Sequence, residues 1–170
     1  RMALYLLDKN KQGAKIMAST LLEAVEDISR CKRCRMLTSN DFCRVCSDLS
    51  RDDKSICVVE SPSDVLAIES TGGYKGKYFV LLGRLSPIEG VGPEDLGIEE
   101  LLVIIESEGI EELILATSST VEGDATGMYI KDHIPDIKVS RISYGIPIGG
   151  ELEYVDSNTI AQAIQGRTEV

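Results

Sequence analysis

Residues 56–69 read ICVVESPSDVLAIE and change character at one point. Ile56, Cys57, Val58 and Val59 form an unbroken apolar run closing on Glu60, the pattern of a strand buried on both faces. Ser61 then offers an N-cap, Pro62 a first helical position and Asp64 a carboxylate three residues after the cap, so a helix over Ser63–Ser70 has a marked start. The alternation recurs downstream. Tyr78–Leu82, Leu113–Thr117 and Ile137–Ile142 are further predicted strands, and Ile98–Glu108 and Glu122–His133 further predicted helices. Such a pattern implies an α/β domain with a mainly parallel sheet flanked by helices. Gly83–Gly97 is a long loop after the second strand, the kind of segment that often carries function. A tail from Tyr144 to Val170 holds Gly145, Pro147, Gly149 and Gly150 before a final short helix near Thr159–Gln165.

With 170 residues and 43% hydrophobic composition, the chain can bury one ordinary core and carry a small satellite module. Its longest apolar runs are too short for a membrane span, and no leader-like segment opens it, so a soluble cytoplasmic protein is expected. The first residue is Arg1, with no initiator methionine before it, and the chain is expected to be a piece of something longer. The net charge of −10 hides a division: residues 1–54 carry a net +3 and residues 55–170 a net −13. A polyanion should therefore meet the first part, and other partners the acidic second part.

Residues 14–29 set Met17, Leu21, Val25 and Ile28 on one face, as in an amphipathic helix. The helix runs into Cys31, Cys34, Cys43 and Cys46, spaced C-x2-C-x8-C-x2-C. Two close thiolate pairs can surround one tetrahedral Zn²⁺, and four sulfurs leave no open position, so the metal is read as structural. An iron–sulfur cluster is the rival occupant. The segment is polar and aperiodic, as expected of a module folded by its metal rather than by a core. Cys57 sits in a strand and reads as a small core residue. Arg30, Lys32, Arg33, Arg35 and Arg44 surround the cysteines; they either offset the charge of the metal–thiolate centre or face DNA.

Glu60 ends the first strand, and Glu122-Gly123-Asp124 follows the third across the loop Ser118-Ser119-Thr120. In a parallel sheet these ends share one edge, where carboxylates could gather Mg²⁺ for phosphoryl chemistry. The loop offers hydroxyls where such a site wants aspartates, which weighs against catalysis. No phosphate-binding loop is present: Gly73, Gly76 and Lys77 are too closely spaced, and Tyr78 replaces the needed hydroxyl. The lone His133 reads as a surface or helix-end residue.

Over essentially its whole length the chain resembles the RecR family of bacterial recombination mediators. The likeness is carried by the cysteine motif, by residues 56–69, by YFVLLGRLSPIEGVGPEDLG at 78–97, by ILATSSTVEGDATGMYI at 114–130 and by GIPIGGELEYVD at 145–156. The resemblance implies a remnant of a helix-hairpin-helix and connecting helix over 1–30, and a four-cysteine zinc finger over 31–54. It further implies a Toprim domain over 55–150 and a Walker-B-like oligomerisation segment over 151–170. In the family, the hairpin contacts DNA through a motif whose arginine Arg1 matches. Catalytic Toprim enzymes use a glutamate after the first strand, matched by Glu60, and two aspartates after the third, where Ser118 and Thr120 stand instead. That departure favours a binding platform, with Glu122 and Asp124 docking RecO and RecF.

The function expected is that of a non-enzymatic DNA-repair mediator. Its protomers would form a dimeric or tetrameric ring around single- or double-stranded DNA at the bacterial nucleoid and help load recombinase at gaps. The rivals are a Mg²⁺-dependent Toprim enzyme acting on nucleic acid, and a zinc-stapled adaptor. In the leading reading the zinc finger is a rigid joint between a basic arm and an acidic platform.

Overall fold

The computed structural model describes residues 1–134, 136–143 and 145–167. Helix α1 (Met2–Lys9) precedes the expected amphipathic helix, α2, which spans Lys11–Asp27. Asn10 separates the two: its own backbone is non-helical, and its side chain accepts the Gly13 N–H at 2.8 Å, so it caps α2. Helix α2 therefore begins earlier than periodicity suggests and stops before the extended Ile28. Its apolar stripe is present but uncovered, with Leu21 and Val25 exposed.

The cysteine segment follows as a minimal hairpin, β1 (Ser29–Arg30) antiparallel to β2 (Leu37–Thr38), and a single helical turn, α3 (Arg44–Ser47). The main unit then alternates as anticipated: β3 (Ser55–Val59), α4 (Pro62–Thr71), β4 (Lys77–Val80), α5 (Ile98–Glu108), β5 (Glu112–Ala116), α6 (Val121–His133) and β6 (Lys138–Arg141). The four strands form a wholly parallel sheet in the order β4-β3-β5-β6, with Val59 in register with both Val80 and Ala116. At the start of α4, the Asp64 carboxylate accepts the Ser61 backbone N–H at 2.8 Å and its hydroxyl at 2.9 Å. A short 3-10 turn (Leu152–Tyr154) and α7 (Ser157–Gln165), capped by Asp156, complete the chain; 168–170 of the expected C-terminal segment, and Tyr144 at the head of the tail, lie outside the described residues.

Alternation along the central strands divides the core in two. Ile56 and Val58 join Phe79, Leu101, Ile105, Leu113 and Ile130, which places α5 and α6 over one face. Cys57 and Val59 join Val65 of α4, Tyr78 and Val80, together with Cys31, Cys34, Cys43 and Val45. The cysteine segment shares a core with the sheet it covers, where the polar, aperiodic sequence suggested none. Among the described residues no helix is long and apolar enough to cross a membrane.

Candidate metal centre and sheet-edge site

Hairpin β1–β2 brings the first cysteine pair into a tight turn. Cys31 donates its backbone N–H to Met36 O at 2.7 Å, and Arg35 donates to Cys31 O at 3.0 Å. Arg35 adopts φ +64°, a left-handed conformation that glycine usually supplies. The second pair opens α3, and the Cys43 N–H reaches Cys31 Sγ at 3.3 Å. All four sulfurs lie within 4.8 Å of one another, Cys34 and Cys43 at 3.5 Å. Sulfurs each about 2.3 Å from a tetrahedral ion would stand about 3.8 Å apart, so the donor set fits one metal ion with no position left for substrate. The thiols do not ionise independently. Hydrogen bonds from Cys34 and Cys46 hold the Cys43 thiol well below its ordinary range, while Cys34, bonded to Cys43 and Cys46 and buried, is pushed up. Of these thiols Cys43 is the one held toward its anion, the form in which sulfur binds a cation.

Several of the basic residues around the cysteines turn inward. Arg33 forms a two-pronged pair with Glu108 at the end of α5. Arg35 donates to Leu96 O and to Asp95 O, and its guanidinium lies over the Phe79 ring at 5.7 Å. These contacts oppose the strain of its backbone. Gly97, at φ +66°, admits the Arg35 side chain where a Cβ would collide with it. Lys32 makes an exposed pair with Asp41, and Arg30 and Arg44 are exposed.

Lys77, which the sequence brings up only among residues too closely spaced for a phosphate-binding loop, holds the second cysteine pair. It is 6% exposed, and its Nζ donates to Val45 O (3.1 Å), Cys46 O (3.2 Å) and Asp48 O (2.9 Å). A backbone bond from Val80 N–H to Cys34 O, 3.0 Å, fastens the first pair to the same strand. The only hint in the sequence is a lysine directly before an apolar run, which reads equally well as a solvated strand end.

At the carboxyl edge of the sheet, Glu60, Ser118 and Thr120 do come together. Glu60 Oε1 accepts the Ser118 backbone N–H at 2.7 Å and its hydroxyl at 2.8 Å, and Ser118 Oγ lies 2.9 Å from Thr120 Oγ1. Thr120 caps α6 by accepting the Gly123 N–H. Gly123 is pressed so close that a Cβ there would overlap Ser118 and stand 2.9 Å from Glu60 Oε1. Arg84 stands 3.9 Å from Glu60 Oε2 across a cleft of about 580 Å³ that Arg30, Leu82 and Val91 also line. Glu122 and Asp124 lie half-buried in the first turn of α6, Asp124 paired with Arg141 at 2.8 Å. Among the described residues, the four cysteines are the one grouping of three or more His, Cys, Asp or Glu side chains placed to hold a metal ion. Arg1 is exposed at the start of α1, and its carbonyl accepts the Tyr5 N–H. His133 ends α6, stacked on Tyr129.

Residues 54–143 match the family model described as Toprim domain, and residues 145–168 match the one described as RecR, C-terminal. The whole chain is 50% identical to Recombination protein RecR of Saccharophagus degradans, of which it spans 87%. It is 49% identical to Recombination protein RecR of Francisella tularensis subsp. novicida and 48% to that of Francisella philomiragia, again over its full length and over 86% and 85% of theirs.

Proposed function

The chain belongs to the RecR family of recombination proteins, and from that premise we propose that it works without catalysis, as a repair and recombination mediator that binds DNA as an oligomeric ring or clamp. One observation carries the non-catalytic reading. Glu60, the single carboxylate at the matched Toprim position, has Oε1 committed to Ser118, and hydroxyls stand where two further carboxylates would be needed. Two-metal phosphoryl chemistry needs ligands that can share charge with the ions, and hydroxyl groups supply none. The same edge is well suited to protein contact. Glu122 and Asp124 are the residues we assign to docking RecO and RecF, where acidic side chains steer a basic partner.

DNA falls to the basic first third of the chain, with Arg1 as the matched contact, because lysines and arginines near phosphates release counterions. The occupant of the cysteine site is zinc: four thiolates in closed tetrahedral array suit it, and its role is to hold the joint between the two regions. The protein would act in the bacterial cytoplasm, at the nucleoid, in dimers or tetramers, helping to load recombinase at gaps.

The test is fluorescence anisotropy on single-stranded and gapped DNA across a salt series, with and without RecO. Arg1→Ala should weaken DNA binding at every sequence and lower the salt slope by about one. The double change Glu122→Gln with Asp124→Asn should abolish the RecO effect and leave DNA affinity unchanged. Unchanged DNA affinity in Arg1→Ala, or an undiminished RecO effect in the double variant, would remove the corresponding assignment.

A further inference from the structure

Neither Arg1 nor the docking pair Glu122 and Asp124 lines the cleft of about 580 Å³ at the carboxyl edge of the sheet, the edge where parallel sheets receive ligands. Two arginines face it from different elements: Arg84, in the loop after β4, and Arg30, at the end of β1 in the cysteine hairpin. Arg84 Nη1 stands 3.9 Å from Glu60 Oε2, an ion pair too long for a hydrogen bond, and Arg30 spends Nη1 on Arg35 O at 3.3 Å. Among the described residues neither side chain has another polar contact, so most of their donors are unspent. The wall that carries Arg84 is framed. Leu82 adopts φ +66°, a left-handed conformation that a bulky residue takes only where its surroundings impose it, and such outliers gather at binding sites. Leu85 donates its N–H to Thr126 Oγ1 at 2.9 Å, Thr126 being wholly buried, and Ser86 and Val91 exchange backbone N–H groups at 3.2 and 3.0 Å. Two carboxylates, Glu60 and Glu89, also line the cleft and balance the two arginines. A ligand with one negative charge gains both guanidinium groups, whereas a second charge meets carboxylates with no cation left to match it.

We propose that this cleft binds one internal phosphodiester of single-stranded DNA, with Arg84 and Arg30 donating to its oxygens and Pro62, Leu82 and Val91 lying against the adjoining sugars. The planar guanidinium fork matches phosphate, and an internal phosphodiester carries the single charge that the lining suits. The inference rests on the DNA-binding reading and extends it from the basic first part of the chain into the acidic second part. A fixed guanidinium beside Glu60 supplies positive charge that, unlike a bound Mg²⁺, activates no water. The strand is held and left intact.

Binding of a fluorescent oligothymidylate would be followed by anisotropy across a salt series for the wild type, Arg84→Gln, Arg30→Gln and the double variant. Each single change should weaken binding several-fold. Because both side chains meet one phosphate, the double variant should lower the slope of log affinity against log salt by about 0.7, the share of a single phosphate on a single strand. A fall of about 1.4 would mean two separate phosphates and overturn the shared site, and an unchanged slope and affinity would overturn the proposal outright. A 5′-phosphate on the oligonucleotide should change nothing; tighter binding of the phosphorylated strand that disappears in Arg84→Gln would assign the cleft to strand ends instead and overturn the internal contact. The Arg84 side chain is 44% exposed, so Arg84→Gln should melt with the wild type. Should it not fold, Arg84→Lys decides: keeping the charge without the fork should weaken binding at an unchanged slope, and wild-type affinity there would overturn the assignment. A wild type that binds no DNA would sink the DNA-binding reading itself and this inference with it.

Discussion

Replacing Lys77 with Met probes how firmly the cysteine segment is fixed to the sheet. Met keeps the apolar stem but removes the ammonium that satisfies the carbonyls of Val45, Cys46 and Asp48. Charge-assisted hydrogen bonds contribute about 1.5–3 kcal/mol each, and against their sum stands the desolvation of a buried ammonium, several kcal/mol. Lys77→Met removes the charge and leaves the three carbonyls without their donor, about 1–3 kcal/mol for each that stays buried, partly offset by the relieved desolvation. Taking about 3 kcal/mol, a chain of this length should lose about 6–12 °C in Tm, read by circular dichroism with both proteins in the same metal excess. Chelator-driven metal loss should also quicken, because the freed carbonyls flank Cys46. A decrease below about 2 °C, equivalent to less than about 1 kcal/mol, would refute the anchoring role.

Other consequences are as specific. Gly123→Ala would drive a methyl into Ser118 and toward Glu60, so a loss of about 1–3 kcal/mol is expected, and a variant as stable as the wild type would show that the loop yields. Burial pushes the Cys57 thiol up to about 12, whereas the Cys43 thiol is held low, so iodoacetamide at mildly alkaline pH should label Cys43 after metal removal and spare Cys57 until denaturant is added. Labelling of Cys57 in step with Cys43 while the sheet is folded would contradict its placement. Burial opposes ionisation of Glu69, yet hydrogen bonds from Arg51 and Tyr78 outweigh it and hold the carboxyl below its ordinary 4.5. A depressed folded-state value gives stabilisation that is complete above 4.5 and fades as pH falls through the folded value. Glu69→Gln should accordingly be less stable at neutral pH and less sensitive to acid, and an acid limb as steep as that of the wild type would contradict this.

Local chemistry made much of the fold legible. The cysteine spacing anticipates the cluster of four thiols, Ser61, Pro62 and Asp64 locate the start of α4, and Ile98–Glu108 proves to be α5 to the residue. Three of the four sheet strands begin one residue earlier than predicted, and β6 is shortened at both ends. Ser55, Lys77 and Glu112 begin strands although they are polar, because the first two are buried against other elements and the third pairs with Lys138. Glu60, Leu82 and Thr117 leave the ladder although an apolar or extended reading includes them, and Glu60 and Leu82 line the cleft at the sheet edge. What the sequence could not convey is the contact between the cysteine segment and the sheet. Arg33 and Glu108 are 75 residues apart, and periodicity carries no information over that distance. The basic residues near the cysteines had two readings open to them; Arg33 and Arg35 are directed at the Toprim unit, a use that neither reading included.

The claim of a platform without catalysis is met most directly by incubating end-labelled gapped DNA with metal-loaded protein and Mg²⁺, beside Glu60→Gln. Both proteins should bind the DNA in a salt-dependent way and return every strand at its original length. Strand cleavage or joining that requires Mg²⁺ and disappears in Glu60→Gln would contradict the proposed function.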